Sequence, residues 1–207
     1  MLLQNLAIRK IKNSDDCKKM ASIHMNALKD DILPTLGLDF LFDYYTQILR
    51  DHSQILIGAF YNDELIGFCQ LACAPITISS LFKAKPDLLL SICILFFKHP
   101  LLFLRGCREA FFMKNTSHNP EIVFIAVEES FRGKGIGELL IRGVACISQK
   151  MGFHSIFTKT SDLRVKDMYR TKFNASISSH RSIFKLYWDI EFLTSELMDF
   201  VSHSCSI

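Results

Sequence analysis

The sequence predicts an α/β domain built of alternating strands and helices, and three stretches carry that expectation. Ile122-Val123-Phe124-Ile125-Ala126-Val127 is a short apolar run rich in β-branched and aromatic residues, as in a buried strand. After a glycine-rich turn, Ile136, Leu139, Leu140, Val144 and Ile147 recur at helical spacing, with Lys150 suited to the last turn and Gly152 placed as a C-cap. Near the C-terminus, Ile183, Lys185, Tyr187 and Asp189 interleave with Phe184, Leu186, Trp188 and Ile190, which is the period-two pattern of a two-faced strand.

Taken in order, Leu6-Ala7-Ile8-Arg9-Lys10-Ile11 alternates as a strand, and Ser14 with Asp15 and Asp16 offers the cap of a helix reaching about Leu28. Pro34 and Gly37 mark residues 30–36 as a loop. A second helix is expected from about Asp39 to Asp51, with Phe40, Leu41, Tyr44, Tyr45, Ile48 and Leu49 on its apolar face. Strands over 54–61 and 65–74 follow, joined by Asn62-Asp63-Glu64 as a hairpin turn. The central strand and its helix lead to a further strand over 155–160, a helix from about Leu163, and a strand around 174–179 that pairs with the alternating one. Residues 195–201 read as a short helix or tail.

Composition bounds the function. The 207 residues are 49% hydrophobic, enough for one domain spanning 1–207 with a full core. The 24 basic and 21 acidic residues are too balanced for a nucleic-acid partner. The start Met1-Leu2-Leu3 turns polar at Gln4 and Asn5, unlike a signal peptide. Seven cysteines without a Cys-x-x-Cys pair read as reduced thiols, which places the chain in the cytoplasm. The histidines have no metal-ligand spacing, so no metal is expected.

Residues 79–119 stand apart as an insertion. Its apolar run over 88–97 is too short to cross a bilayer, which takes about 20 residues, and Pro100 separates it from the next, so it reads as a helical hairpin. Within 81–114, Lys83, Lys85, Lys98, Arg105, Arg108 and Lys114 outnumber Asp87 and Glu109, whereas the whole chain carries only +3. Extra core or a homodimer interface, a peripheral contact with the inner face of an anionic membrane, and a lid over a bulky substrate are all compatible with that pattern.

The chemistry concentrates in Arg132-Gly133-Lys134-Gly135-Ile136-Gly137. Glycines at alternate positions let a ligand approach the backbone, and the amides of the helix start suit an anion. The segment lacks the Lys-Ser/Thr of a P-loop, and Leu140 stands where a dinucleotide fingerprint needs its third glycine. Arg132, Gly135 and Gly137 do fit Arg/Gln-x-x-Gly-x-Gly/Ala, and with Phe124-Ile125-Ala126-Val127 ahead of them the stretch resembles the GCN5-related N-acetyltransferase (GNAT) superfamily. Downstream, Asp162, Val165 and Tyr169 occupy the positions of that family's Asn-x-x-Ala-x-x-x-Tyr, with Asp for Asn and Val for Ala, and Phe173-Asn174 in place of the usual Gly-Phe. Specific motifs cover about residues 121–174.

The resemblance implies a mixed, mostly antiparallel central sheet flanked by helices, with the strand over 122–128 diverging from 155–160 to leave a slot for a pantetheine arm. It implies acetyl-CoA as cofactor, its pyrophosphate on the amides of Gly133, Lys134, Gly135, Ile136 and Gly137 beside the charges of Arg132 and Lys134, and its pantetheine amides on the backbone of Ile125, Ala126 and Val127. Asp162 belongs to the same cofactor set. Acetyl transfer to an amine also needs a proton for the departing thiolate and an acceptor for the ammonium proton. A phenol with a reference pKa of about 10 stays protonated at neutral pH, which suits Tyr169 as general acid. Glu121, at the start of the central strand, is the leading base, with His24, Tyr44 and His118 as further candidates.

The insertion, together with residues 33–41 and Tyr44-Tyr45, is similar to a bacterial subgroup associated with surface-sugar biosynthesis, which would make the acceptor a small-molecule amine on an amino sugar or its conjugate. A protein or peptide amine is the alternative acceptor, and a non-catalytic acyl-CoA sensor or scaffold is the alternative function. The shortage of acidic residues near the acceptor side argues mildly against a polyamine.

Overall fold

The computed structural model describes residues 5–29, 33–74, 119–181 and 186–195. Its first strand, β1 (Leu6–Lys10), leads to α1 (Ser14–Ala27), a 3₁₀ turn over Leu33–Leu36, and α2 (Leu38–Arg50). Asn13, not Ser14, caps α1: its side-chain oxygen accepts the Asp16 amide at 3.0 Å, leaving Ser14 as the first helical residue. Gly37 starts α2 with φ 96°, so the helix opens without a side-chain cap.

The hairpin of β2 (Gln54–Tyr61) and β3 (Glu64–Ala72) closes through two residues rather than three. Asn62 and Asp63 both have positive φ, 51° and 63°, the pair of left-handed conformations that matches strand twist, and Glu64 already pairs with Tyr61. The chain continues as β4 (Glu121–Val127), a 3₁₀ turn over Glu129–Phe131, α3 (Ile136–Lys150), β5 (Ser155–Thr160), α4 (Leu163–Phe173), β6 (Ser176–Arg181) and β7 (Leu186–Leu193). The expected helical insertion at 79–119, His118, the start of the last strand at 183–185 and all but Ser195 of the C-terminal helix or tail lie outside the described residues.

Seven strands form one sheet among the described residues, in the order β1-β2-β3-β4-β5-β7-β6. Every neighbouring pair is antiparallel except β4 with β5. The expected mixed, mostly antiparallel sheet is therefore observed. Strand alternation divides the core in two. Ile8, Ile57, Cys69, Ile122, Ile156 and Ile190 face α3 and α4, where they bury Leu140, Val144, Tyr169 and Phe173. Leu56, Phe60, Phe68 and Ala126 face α1 and α2, against Met20, Leu41, Tyr45 and Ile48. No helix among the described residues packs on that second face beyond β4.

Candidate active site

The middle of the sheet contains a break in regularity that creates a slot. Gln70 pairs with Phe124 and Leu71 with Ile122, so Val123 has no counterpart on β3 and forms a β-bulge. A bulge bends its strand and shifts its side-chain phase. Ile122 and Ile125 accordingly face the same core although three residues apart. On the other side, β4 meets β5 only at Glu121 with Phe157 and Ile122 with Thr158. The Thr158 hydroxyl donates to the Ile122 carbonyl at 3.0 Å and marks where the strands part. Beyond it, β4 runs on to Val127 without a ladder to β5, so the backbone at Ile125, Ala126 and Val127 borders the gap on the side away from β3.

The gap leads to the glycine loop. Gly133 and Gly135 have φ of 74° and 81°, a region that residues with a Cβ rarely adopt, and Gly135 starts α3 with no side-chain cap. A Cβ built on Gly133, Gly135 or Gly137 meets nothing within 4 Å. The surface over the loop is therefore open, and the amides of the first helical turn have no carbonyl partner within the helix. The Arg132 Nε donates to the Val127 carbonyl at 3.0 Å, tying the loop to the end of β4, and the Lys134 Nζ donates to the Ser130 carbonyl at 2.8 Å above the Phe131 ring. Both cations thus belong to the loop that would cradle an anion.

Tyr169 lies below the parting of the strands. It is 1% exposed, packed between the rings of Phe173 and Phe192. Burial drives its pKa well above the usual phenol value; a second, raising influence comes from Cys69 on β3, and Thr158 on β5 opposes them. Those two residues flank β4, which puts the Tyr169 hydroxyl beneath the slot. The Thr158 hydroxyl donates to the Ile122 carbonyl and keeps its lone pairs on the side of the Tyr169 hydroxyl, which makes no close hydrogen bond among the described residues. Asp162 caps α4, accepting the Arg164 amide at 2.8 Å and pairing with its guanidinium at 3.2 Å, so the carboxyl is held below its ordinary range. Its carboxylate is thus engaged by the helix start.

Glu121 sits on the opposite face of β4 from Ile122, with Lys159 of β5 at 3.8 Å. By strand parity, Phe157, Lys159, Asp189 and Glu191 share that face. Glu191 accepts the Ser155 hydroxyl at 2.6 Å and the Asn119 amide at 3.0 Å. Three strands therefore place three carboxylates and one lysine on the same face. The sequence reading missed this grouping; the signal for it is the parity of β7 against β5, which becomes readable only after the two are known to be neighbours. Among the further candidates, His24 is fully buried with Nδ1 2.5 Å from the Tyr45 hydroxyl and its ring against Phe124, and burial pushes its pKa down to about 4. Tyr44 donates to Gln70 at 3.2 Å, and Gln70 in turn donates to Gln54 at 3.3 Å. His24 and Tyr44 thus lie on the α1–α2 face, as Glu121 does, while Tyr169 lies on the other; the slot in β4 is what separates and joins them.

The open cradle over three glycines, the parted strands and the buried phenol beneath them fit a long anionic cofactor with a narrow arm. The comparisons agree with that geometry. Residues 22–173 match the family model described as the acetyltransferase (GNAT) family, and the chain belongs to that family. It is an acetyltransferase, and its acetyl donor is acetyl-CoA. Similar solved structures include a chimera built on a spermidine N-acetyltransferase from Vibrio cholerae, with 14% identity over 95% of this chain and 99% of that one at a TM-score of 0.60. An acetyltransferase from Salmonella typhimurium solved with acetyl-CoA shows 10% identity over 92% and 95% of the two chains at a TM-score of 0.58. An aminoglycoside 6′-acetyltransferase type Ii shows 14% identity over 90% and 96% at 0.58. No curated protein matches the sequence. Among the described residues there is no cluster of metal-binding side chains, and no helix is long and apolar enough to cross a membrane.

Proposed function

We propose that this chain acetylates a primary amine of a small cationic molecule, an amino sugar or sugar conjugate being the preferred acceptor. The observation that carries the reading is the bulge at Val123. It opens the sheet between the glycine loop and Tyr169 on one side and the carboxylate-bearing face of Glu121, Asp189 and Glu191 on the other. A protonated amine is drawn to such a face, and the similar spermidine and aminoglycoside acetyltransferases both act on polycationic compounds. The grouping of carboxylates removes the compositional argument against a polyamine, which becomes the second acceptor class.

In this reading, the amides of Gly133 to Gly137, with Arg132 and Lys134, hold the pyrophosphate, and the backbone of Ile125 to Val127 aligns the pantetheine arm as an added strand would. Asp162 serves the cofactor side from the cap of α4. When bound, acetyl-CoA supplies the activated acetyl group. Glu121 takes the proton that the ammonium must lose before it attacks, and Tyr169 gives one to the departing thiolate. The proton source is neutral at every physiological pH, because burial favours the protonated phenol. Contact of the 79–119 insertion with a second copy or with a membrane surface is part of the same proposal.

The test is thiol release from acetyl-CoA against a panel holding glucosamine-type sugar phosphates, an aminoglycoside, spermidine and an N-terminal peptide. Turnover with a sugar amine, lowered roughly 10²-fold or more in Glu121→Gln at unchanged acetyl-CoA affinity, supports the proposal. Turnover only on the peptide shifts the acceptor class. Tight acetyl-CoA binding with no turnover on any amine replaces the enzyme by a sensor.

A further inference from the structure

Along the far side of α4, away from the slot, an open groove of about 400 Å³ lies between the helix and the last two strands of the sheet. That volume falls within the range of small-molecule sites. Lys166 and Arg170, one helical turn apart, line its helix side, and Ser178 and Ser179 of the edge strand β6 line the other. Ala175, Ile177 and the indole of Trp188 add apolar surface to the lining. It shares no residue with the glycine loop or the parted strands.

The charges at its mouth are partly paired. Asp167 sits 3.6 Å from the Lys166 ammonium and 3.3 Å from the Arg170 guanidinium, so one carboxylate offsets part of two positive charges and leaves one over. The Lys166 ammonium also lies 4.9 Å from the centre of the Trp188 ring, its side chain only 18% exposed, whereas Arg170 is 63% exposed and able to turn toward a ligand. Ser179 stands directly opposite Trp188 on the neighbouring strand and adds a hydroxyl beside the indole. Because β6 is the last strand, its outer backbone groups are not consumed by a further ladder among the described residues.

Two cations and a hydroxyl match a group with several acceptor oxygens, and the guanidinium favours a planar, multidentate anion such as phosphate. The apolar part of the lining favours an anion carrying a flat or apolar body. We propose that this groove is a second ligand site, separate from the acetyl-transfer centre, for an organic phosphate monoester of the size of a nucleoside monophosphate. The phosphate lies between Lys166, Arg170 and Ser179, and the ring system covers Ile177 and the edge of Trp188.

Trp188 is the only tryptophan in the chain, so its fluorescence reports on this groove alone. The full protein, saturated with acetyl-CoA to occupy the catalytic centre, is titrated with uridine 5′-monophosphate, uridine and inorganic phosphate. The expected result is a saturable change with the nucleotide, much weaker responses to uridine and to phosphate, and a roughly tenfold or greater loss of nucleotide affinity in Arg170→Met. Ser179→Glu, on the strand side, is an independent variant with the same expected loss through charge repulsion. Unchanged acetyl-CoA affinity by calorimetry shows that either variant is folded. No saturable response overturns the proposal, as does equal binding in both variants. Equal responses to uridine and to its monophosphate overturn the phosphate assignment, and phosphate binding as well as the nucleotide overturns the role of the apolar lining.

Discussion

Tyr169 is enclosed by Phe173 and Phe192, and its hydroxyl, with Thr158 nearby, makes no close hydrogen bond among the described residues. A buried hydroxyl without a close partner costs stability, so its removal is cheap for the fold. Tyr169→Phe is therefore expected to keep or raise the melting temperature and to hold acetyl-CoA affinity, while lowering turnover on the order of 10²-fold. A drop in melting temperature with turnover intact would make Tyr169 a structural residue. The glycines allow a sharper separation. Gly135 has φ 81° and Gly137 does not lie in the left-handed region, yet a Cβ at either meets open space. Gly137→Val should abolish acetyl-CoA binding at little cost in stability, whereas Gly135→Val should also lose about 1–2 kcal/mol to backbone strain. Calorimetry beside urea unfolding distinguishes the two. His24 supplies a pH signature. Its pKa falls from 6.5 unfolded to about 4 folded because burial disfavours the imidazolium. Between those values the unfolded chain binds the extra proton, so stability declines as pH drops from 6.5 toward 4, by on the order of 3 kcal/mol at about 1.4 kcal/mol per unit. Urea unfolding at pH 7.5, 6 and 5 should show this slope in the native sequence, flattened in His24→Gln. Of these residues, the glycines were legible from spacing and the tyrosine through the resemblance of Asp162, Val165 and Tyr169 to the family's motif. The burial of His24 was not, since a lone histidine on an amphipathic helix has the same pattern inside or out.

At the level of elements, periodicity located most strands and helices within one or two residues, because each carries its apolar face locally. The cap of α1 moved from Ser14 to Asn13, both being cap-forming residues and only the backbone deciding which one is extended. The bulge at Val123 had no signature, because an apolar run pairs equally well in either register until β3 is set beside it. What holds the two helices flanking the slot was equally hidden. Glu138, in the first turn of α3, accepts Arg142 at 2.9 Å on one oxygen and Lys172 of α4 at 2.5 Å on the other. Burial alone would raise its pKa, and these two cations override it and keep the carboxyl below its ordinary range. The pair Glu138 and Lys172 straps the helix after the glycine loop to the helix bearing Tyr169. Glu138→Gln and Lys172→Met are expected to be non-additive, with a coupling of about 0.5–1 kcal/mol in urea unfolding that shrinks at high salt, since Lys172 is half exposed. Additive losses would show that the helices are held by packing alone.

Across the whole molecule, the sheet is weakest at its working seam. β4 and β5 share two ladder pairs, whereas β2–β3 and β5–β7 are paired along their full lengths. In the proposed placement, a cofactor arm along β4 would supply the hydrogen bonds that the seam lacks. Acetyl-CoA at about 100 times its dissociation constant should add about 2.7 kcal/mol to stability, a rise of roughly 5–10 °C in the melting temperature. Hydrogen exchange should slow most at Ile125 to Val127. A rise in melting temperature without protection there would place the arm elsewhere.

The sequence by itself determined the local elements, the glycine loop and, through that loop and the strand before it, the family and its acetyl donor. These are properties of short contiguous segments, where side-chain period and backbone freedom act within a few residues. Only the tertiary structure decided that Val123 bulges, that Glu121, Asp189 and Glu191 share a face, that Tyr169 lies under the parted strands, and that α4 borders a cationic groove at the sheet's far edge. Each of these depends on which strand lies beside which, and Glu121 and Glu191, 70 positions apart in the chain, come to share a face only when the strand order is set.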